Sequence, residues 1–277
     1  MKSPNEIPEG LFGFAASGDD VNGDGRGDVI VGAKGERVVY VINGATGEVI
    51  HTVITSFAEI VSAVPDLNGD GQSDIASSDP GKGAVDIHSG ATGEWLNTLT
   101  SPTEETGIPG ARFGFSVSGI PDVNGDGRGD VIVGAVFEDL PKTPERPRAV
   151  ADAGRAYIFD GATGVLLHAL TSPNARADGQ FGRSVTGIPD LNGDGRGDVA
   201  VVQVNVGGSP GNGRVYTFDG ATGKLLRVMQ AAGRAPNGFD YTTAVPDVNR
   251  DGWRDILVYA WNAGDPKAHL LDGESGE

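Results

Sequence analysis

Five stretches of the sequence place oxygen-bearing side chains at one fixed spacing: Asp20, Asn22, Asp24 and Asp28; Asp66, Asn68, Asp70 and Asp74; Asp122, Asn124, Asp126 and Asp130; Asp190, Asn192, Asp194 and Asp198; Asp247, Asn249, Asp251 and Asp255. Each spells D-x-N-x-D-G-x-x-D. Positions 1, 3, 5 and 9 supply carboxylate or amide oxygens, and position 7 (Arg26, Gln72, Arg128, Arg196 and Trp253) can add its main-chain carbonyl. Hard oxygen donors at alternating positions suit Ca²⁺, which takes six to eight oxygens in flexible geometry, whereas Zn²⁺ favours His and Cys. Glycine at position 6 permits the sharp turn that folds such ligands inward. Two carboxylates about 4 Å apart repel by roughly 4 kcal/mol at an effective dielectric near 20, so three around one point call for a cation. The expectation is up to five structural Ca²⁺ ions.

Two other readings of these loops compete with that one. An EF-hand shares positions 1 to 6 but needs a bidentate Glu at position 12 and flanking helices. Position 12 is Val31, Ser77, Val133, Val201 and Val258, inside β-type runs. The second is a self-capped hairpin turn that binds nothing, since Asp, Asn and Gly all favour turns.

The elements that carry these loops recur with them. A second marker follows each: Gly44-Ala-Thr-Gly47, Gly90-Ala-Thr-Gly93, Gly161-Ala-Thr-Gly164, Gly220-Ala-Thr-Gly223 and the looser Gly273-Glu-Ser-Gly276. In the third copy the pattern predicts strands over Phe113–Ser118, Asp130–Ala135, Ala156–Phe159 and Val165–Leu170. Four antiparallel strands per repeat, about 55 residues each and five times over, predict an all-β fold: a single β-propeller domain over 1–277 with repeats at 11–55, 56–100, 111–171, 180–230 and 238–277. The last repeat has room for three strands. A five-bladed ring and an excerpt of a larger, seven-bladed propeller both remain open.

Composition narrows the function. A hydrophobic content of 38% supports a packed core, and 45 glycines with 16 prolines fit many short strands and tight turns. A formal charge of −17 argues against nucleic acid and anionic membranes. Fifteen of the 38 acidic residues occupy the loop positions, and five divalent ions would offset ten of those charges. With no cysteine, disulfides and thiolate metal sites are excluded. No apolar run is long enough to span a membrane, and the start Met1-Lys2-Ser3-Pro4 has no signal-peptide character. No Ser-His-Asp, P-loop, Rossmann or zinc-hydrolase pattern stands out, so the chain is read as non-enzymatic.

Phe12-Gly13, Phe113-Gly114 and Phe181-Gly182 precede the acidic loops, and Gly32-Ala33 and Gly134-Ala135 follow them. With the loops themselves, these residues resemble the FG-GAP repeat family, the propeller repeats of integrin α-subunits and of bacterial surface or secreted proteins. Departures are Phe57-Ala58 and Ala76-Ser77 in the second repeat, Val202-Gln203 in the fourth, and Phe239-Asp240 and Tyr259-Ala260 in the fifth. The resemblance implies metal in the hairpin between the first and second strands of each blade, and a ligand on the opposite face. It implies a calcium-stabilised extracellular binding or adhesion scaffold whose partner is protein or carbohydrate. Alternatives are a lectin-like propeller, or a noncatalytic domain of a larger secreted enzyme or surface protein.

Three further features are tempting. Arg26-Gly27-Asp28, Arg128-Gly129-Asp130 and Arg196-Gly197-Asp198 spell an adhesive tripeptide, yet each Asp is a loop position 9 and is not free to serve a receptor. His51, His88, His168 and His269 read as strand-packing residues. The insertions Val136–Gly154 and Val206–Gly213 read as loops on the face opposite calcium, and deletion of Leu140–Ala151 is expected to spare folding.

Overall fold

The computed structural model describes residues 4, 10–17, 20–103, 112–144, 146–204, 213–229, 239–260, 267–273, 275 and 276. Every element among them is a β-strand, and the strands form five antiparallel meanders. The first sheet holds β1 (Phe12–Ser17), β2 (Val29–Ala33), β3 (Val38–Ile42) and β4 (Val49–Ile54). The second holds β5 (Ile60–Val64), β6 (Asp74–Asp79), β7 (Ala84–His88) and β8 (Trp95–Thr100). The third is β9 (Phe113–Ile120), β10 (Asp130–Ala135), β11 (Arg155–Phe159) and β12 (Leu166–Leu170). The fourth is β13 (Val185–Ile188), β14 (Asp198–Gln203), β15 (Arg214–Asp219) and β16 (Leu225–Met229). The fifth has three strands, β17 (Tyr241–Val245), β18 (Asp255–Ala260) and β19 (Lys267–Leu271).

These sheets are the blades of a β-propeller. Their first strands lie innermost, with β1 packed on β5, β5 on β9, β9 on β13 and β13 on β17. The second strands β10 and β14 are buried along their whole length, while the fourth strands β12 and β16 are partly exposed. That gradient is why the second strands Val29–Ala33, Asp130–Ala135 and Asp198–Gln203 carry near-continuous apolar runs, whereas β6 admits Ser77 and Ser78.

Between blades the core is apolar: one cluster joins Val64, Val85 and Ile87 of the second blade to Phe113, Val131 and Tyr157 of the third. Phe113 and Phe181 are fully buried and meet Tyr157 and Phe159, and Tyr216 and Phe218, at centroid distances of 5.7–6.0 Å. The glycine after each phenylalanine allows blades to approach closely. Gly134 on β10 has no room for a Cβ, which would lie 2.1 Å from the Gly182 carbonyl. In the second blade the equivalent of Gly134 is Ser78, not Ala76 or Ser77 as the sequence suggests, and its hydroxyl donates to the Gly114 carbonyl at 2.7 Å.

The insertion after β10 also departs from expectation. Val136, Glu138, Leu140 and Ala153 are fully buried, Leu140 and Val150 exchange backbone hydrogen bonds, and Phe181 N–H donates to the Ala153 carbonyl at 2.9 Å. Within 140–151 the Ala151 carbonyl accepts from the Asp178 N–H at 3.0 Å, so this segment includes packed structure tied to the entry of the fourth blade, and removing it would strip that contact. The other insertion, 206–213, lies outside the described residues except for Gly213.

Glu138 anchors the inserted segment. Tyr157 Oη donates to its carboxylate at 2.6 Å, with Arg155 Nε at 3.0 Å. Burial raises its pKa above the ordinary value of 4.5, against the opposing pull of Tyr157 and Arg155. A raised carboxyl pKa stabilises the fold below about 4.5 and loses that contribution as pH rises through the folded value. The stability of the native chain relative to Glu138→Gln should therefore be greatest near pH 4 and decline toward pH 8. Paired thermal melts across that range test this, and parallel curves would refute it.

Candidate metal centres

The β1–β2 loop and its four counterparts share one hydrogen-bond pattern. The position-1 carboxylate folds over the loop, one oxygen accepting from the position-4 N–H at 2.5–2.6 Å and the other from position 6 at 2.6–2.9 Å. The position-3 Asn oxygen accepts from position 5, and the position-5 carboxylate from position 7, all at 2.8–3.0 Å. Position-6 glycines take φ between 82° and 97°. Position 4 is also left-handed, glycine in four loops and Arg250 (φ 67°) in the fifth. Thus Asp20, Asn22 and Asp24, and their equivalents, crowd their oxygens around one short backbone segment.

Position 9 differs. Asp28, Asp74, Asp130, Asp198 and Asp255 are at most 1% exposed. One oxygen accepts from the position-2 N–H at 2.6–3.1 Å, closing the loop. The other accepts at 3.0–3.3 Å from the first glycine of the Gly-Ala-Thr-Gly turn, a role the sequence did not reveal. That glycine is obligatory, because a Cβ at Gly44, Gly90, Gly161, Gly220 or Gly273 would lie 1.8–2.2 Å from the carbonyl of position 8. Burial raises the pKa of Asp74, Asp130 and Asp198 to about 6 despite these N–H groups, and the other loop carboxylates push in the same direction.

Sequence reasoning missed the residue before each turn: Asn43, Ser89, Asp160, Asp219 and Asp272. Asn43 donates to Asp24 at 2.8 Å, Ser89 to Asp70 at 3.3 Å, and Asp160 and Asp272 accept from Asn124 and Asn249. An oxygen-bearing side chain just before a Gly-x-x-Gly turn in every repeat was the available signal. The hydrogen bond to Asn43 is the main influence lowering the Asp24 pKa.

Position-7 side chains leave their own loop. Arg196 Nη1 reaches Asp122, position 1 of the preceding loop, at 3.2 Å, and Arg128 Nη1 reaches the Leu67 carbonyl at 3.2 Å. Each adhesive-type tripeptide is therefore used internally: its Asp is buried and capped, and Arg128 and Arg196 clamp neighbouring blades. The histidines pack as read, with His168 Nε2 3.0 Å from the Ala221 carbonyl of the next blade, His269 edge-on to Phe239 at 6.1 Å, and His88 buried.

Among the described residues no three carboxylate or imidazole side chains converge closely enough to hold a metal by themselves. Each loop has only three carboxylates, and the position-9 group is turned to two backbone N–H groups. The remaining donors are amide and main-chain oxygens, so the set still has the hard-oxygen chemistry of a calcium loop and none of the His or Cys a softer metal selects.

Comparison with known proteins agrees with this architecture. A family model described as FG-GAP repeat matches residues 12–50 and 113–159, and one described as FG-GAP-like repeat matches 190–258. The chain belongs to the FG-GAP repeat family. Its relatives include integrin alpha-IIb of Mus musculus, 32% identical over 159 residues, which is 54% of this chain and 15% of that protein. Integrin alpha-8 of Gallus gallus is 30% identical over 163 residues, 55% of this chain and 15% of the relative. Integrin alpha-10 of Homo sapiens is 41% identical over 98 residues, 33% and 7% respectively. The matched FG-GAP region thus spans about one-seventh of the alpha-IIb and alpha-8 subunits. Kuenenia stuttgartiensis hydrazine synthase aligns with a TM-score of 0.53 at 11% identity, over 96% of this chain and 66% of that one, which is a likeness of fold. The FG-GAP chain is an integrin-like propeller scaffold.

Two substitutions probe the FG-GAP hairpin without reference to metal. Gly161→Ala forces a Cβ onto the Gly129 carbonyl and should cost about 1–3 kcal/mol. Arg250→Gly relieves an exposed left-handed residue and should stabilise by about 1 kcal/mol. Chemical denaturation measures both; a neutral Gly161→Ala would sink the close-approach account.

Proposed function

We propose that the chain is a non-catalytic, calcium-stabilised binding scaffold that works outside the cell. The observation that carries this reading is the fivefold recurrence of one oxygen-lined loop above a buried position-9 carboxylate. In each loop the ion would be held by the side chains at positions 1, 3, 5 and 9 and the main-chain carbonyl at position 7, for example Asp122, Asn124, Asp126, Asp130 and the carbonyl of Arg128. The ion supplies positive charge that offsets the cost of holding three carboxylates together, one of them buried. Millimolar extracellular calcium fills even weak sites of this kind. The integrin alpha relatives support a scaffold role, and no helix among the described residues is long and apolar enough to cross a membrane. The partner, protein or carbohydrate, would engage the face opposite the acidic loops.

The self-capped turn is the competing reading, and the N–H groups gathered by each position-1 carboxylate favour it. Calcium titration separates the two. A ligand that binds only the folded chain stabilises it by about 2.7 kcal/mol per site at one hundred times its Kd, so calcium should raise the melting temperature by several degrees over chelator. Asp126→Ala should leave the chelated melting temperature nearly unchanged and remove about one-fifth of the calcium shift. Asp130→Ala strands two buried N–H groups and should destabilise in chelator as well, by about 1–3 kcal/mol for each. Identical melts with and without calcium would end the calcium reading.

A further inference from the structure

A cavity of about 970 Å³ lies among the inner strands β5, β9, β13 and β17. Its charged rim comes from Lys34, Glu59, Asp79, Arg112 and Arg183, all at the strand ends away from the acidic loops. We propose that this cavity binds a small polyhydroxylated carboxylate, with the size and chemistry of an acidic sugar unit. The inference goes beyond the scaffold reading and does not depend on calcium, since no acidic-loop residue lines the cavity among the described residues.

Three observations point to that ligand. The first is volume, at the upper end of the roughly 300–1,000 Å³ typical of small-molecule sites. The second is a polar wall. Ser116, Ser118, Ser184, Thr186 and Thr243 line the cavity. Ser184 Oγ accepts from the Thr242 N–H at 3.1 Å, which leaves its own proton to donate, and Ser116, Ser118 and Thr186 donate to main-chain carbonyls and keep lone pairs to accept. Such hydroxyls match those of a sugar, while Val117 and Tyr241 offer apolar surface to its C–H faces.

The third observation is the charge at the rim. In a chain of net charge −17, three cations stand at one opening beside two carboxylates, Glu59 and Asp79. Lys34 is engaged by Glu59 at 2.5 Å. Arg183 lies over the Phe115 ring at 4.9 Å and pairs loosely with Asp240 at 3.7 Å. Arg112 is exposed, rests over the Phe137 ring at 5.4 Å and has no ion pair among the described residues. The Arg112 guanidinium can take a carboxylate through paired N–H donors, with Arg183 on the same lining, leaving the hydroxyl-bearing remainder of the ligand inside.

Isothermal titration of the full chain in millimolar calcium, with glucuronate, glucose and acetate as probes, tests the proposal. Glucuronate should bind at least about tenfold more tightly than either of the others, the size of one charge-assisted hydrogen bond. Arg112→Gln and Arg183→Gln should each lower glucuronate affinity about tenfold, and Arg112→Gln should leave the melting temperature unchanged. Equal binding of glucose would refute the carboxylate assignment. Glucuronate binding that survives both substitutions would refute the location, and no binding of glucuronate by the folded native chain would refute the site.

Discussion

One buried carboxylate per repeat organises each blade. The position-9 aspartate sits where the acidic loop enters the second strand, and its two oxygens accept from the loop behind it and from the turn between the third and fourth strands. The hairpin loop and the distant turn are thereby held side by side, and the glycine that opens the turn must be glycine for the backbones to meet. Burial makes that carboxylate costly to ionise, as the raised pKa of Asp74, Asp130 and Asp198 records. The remaining loop oxygens face solvent close by, where a divalent ion would offset the same charge.

The propeller is asymmetric from one face to the other. Near the acidic loops the inner strands almost touch: a Cβ on Gly119 would meet Pro65 at 2.2 Å, and one on Gly187 would meet the Gly119 carbonyl at 2.0 Å. Small residues at this position, Ala63 and Ala244 among them, let the strands converge. Toward the other end they enclose the cavity with its charged rim. Charge thus differs between the faces, acidic where the loops cluster and mixed where the cavity opens. The arginines Arg128 and Arg196 cross from one acidic loop to the one before it, so adjacent blades are joined by polar contacts as well as by the apolar core.

Much of the architecture is legible in the order of residues alone. The apolar run Asp130–Ala135 is a strand with those bounds, and the shortened final repeat is a three-stranded sheet. Two readings miss for different reasons. The glycine position of the second blade reads two residues early because Ser78 replaces glycine, although its spacing from Asp74 is that of Gly134 from Asp130. Residues 140–151 read as a solvated loop because their prolines and charges conceal the buried Leu140.

What the sequence determined by itself was whatever repeats: five blades, their strand pattern, the oxygen donors at positions 1, 3, 5 and 9, and the glycines that turn each loop. These follow from local backbone and side-chain chemistry, which a fixed spacing displays. Tertiary structure alone decided which carboxylate would be buried and what would cap it, because aspartate and glycine are 16 residues apart in the first two blades, 31 in the third, 22 in the fourth and 18 in the fifth. It also decided where Arg128 and Arg196 reach and which hydroxyls and guanidinium groups surround the cavity. Those contacts join segments from different blades, and their distances are set by how closely backbone and apolar side chains pack between sheets.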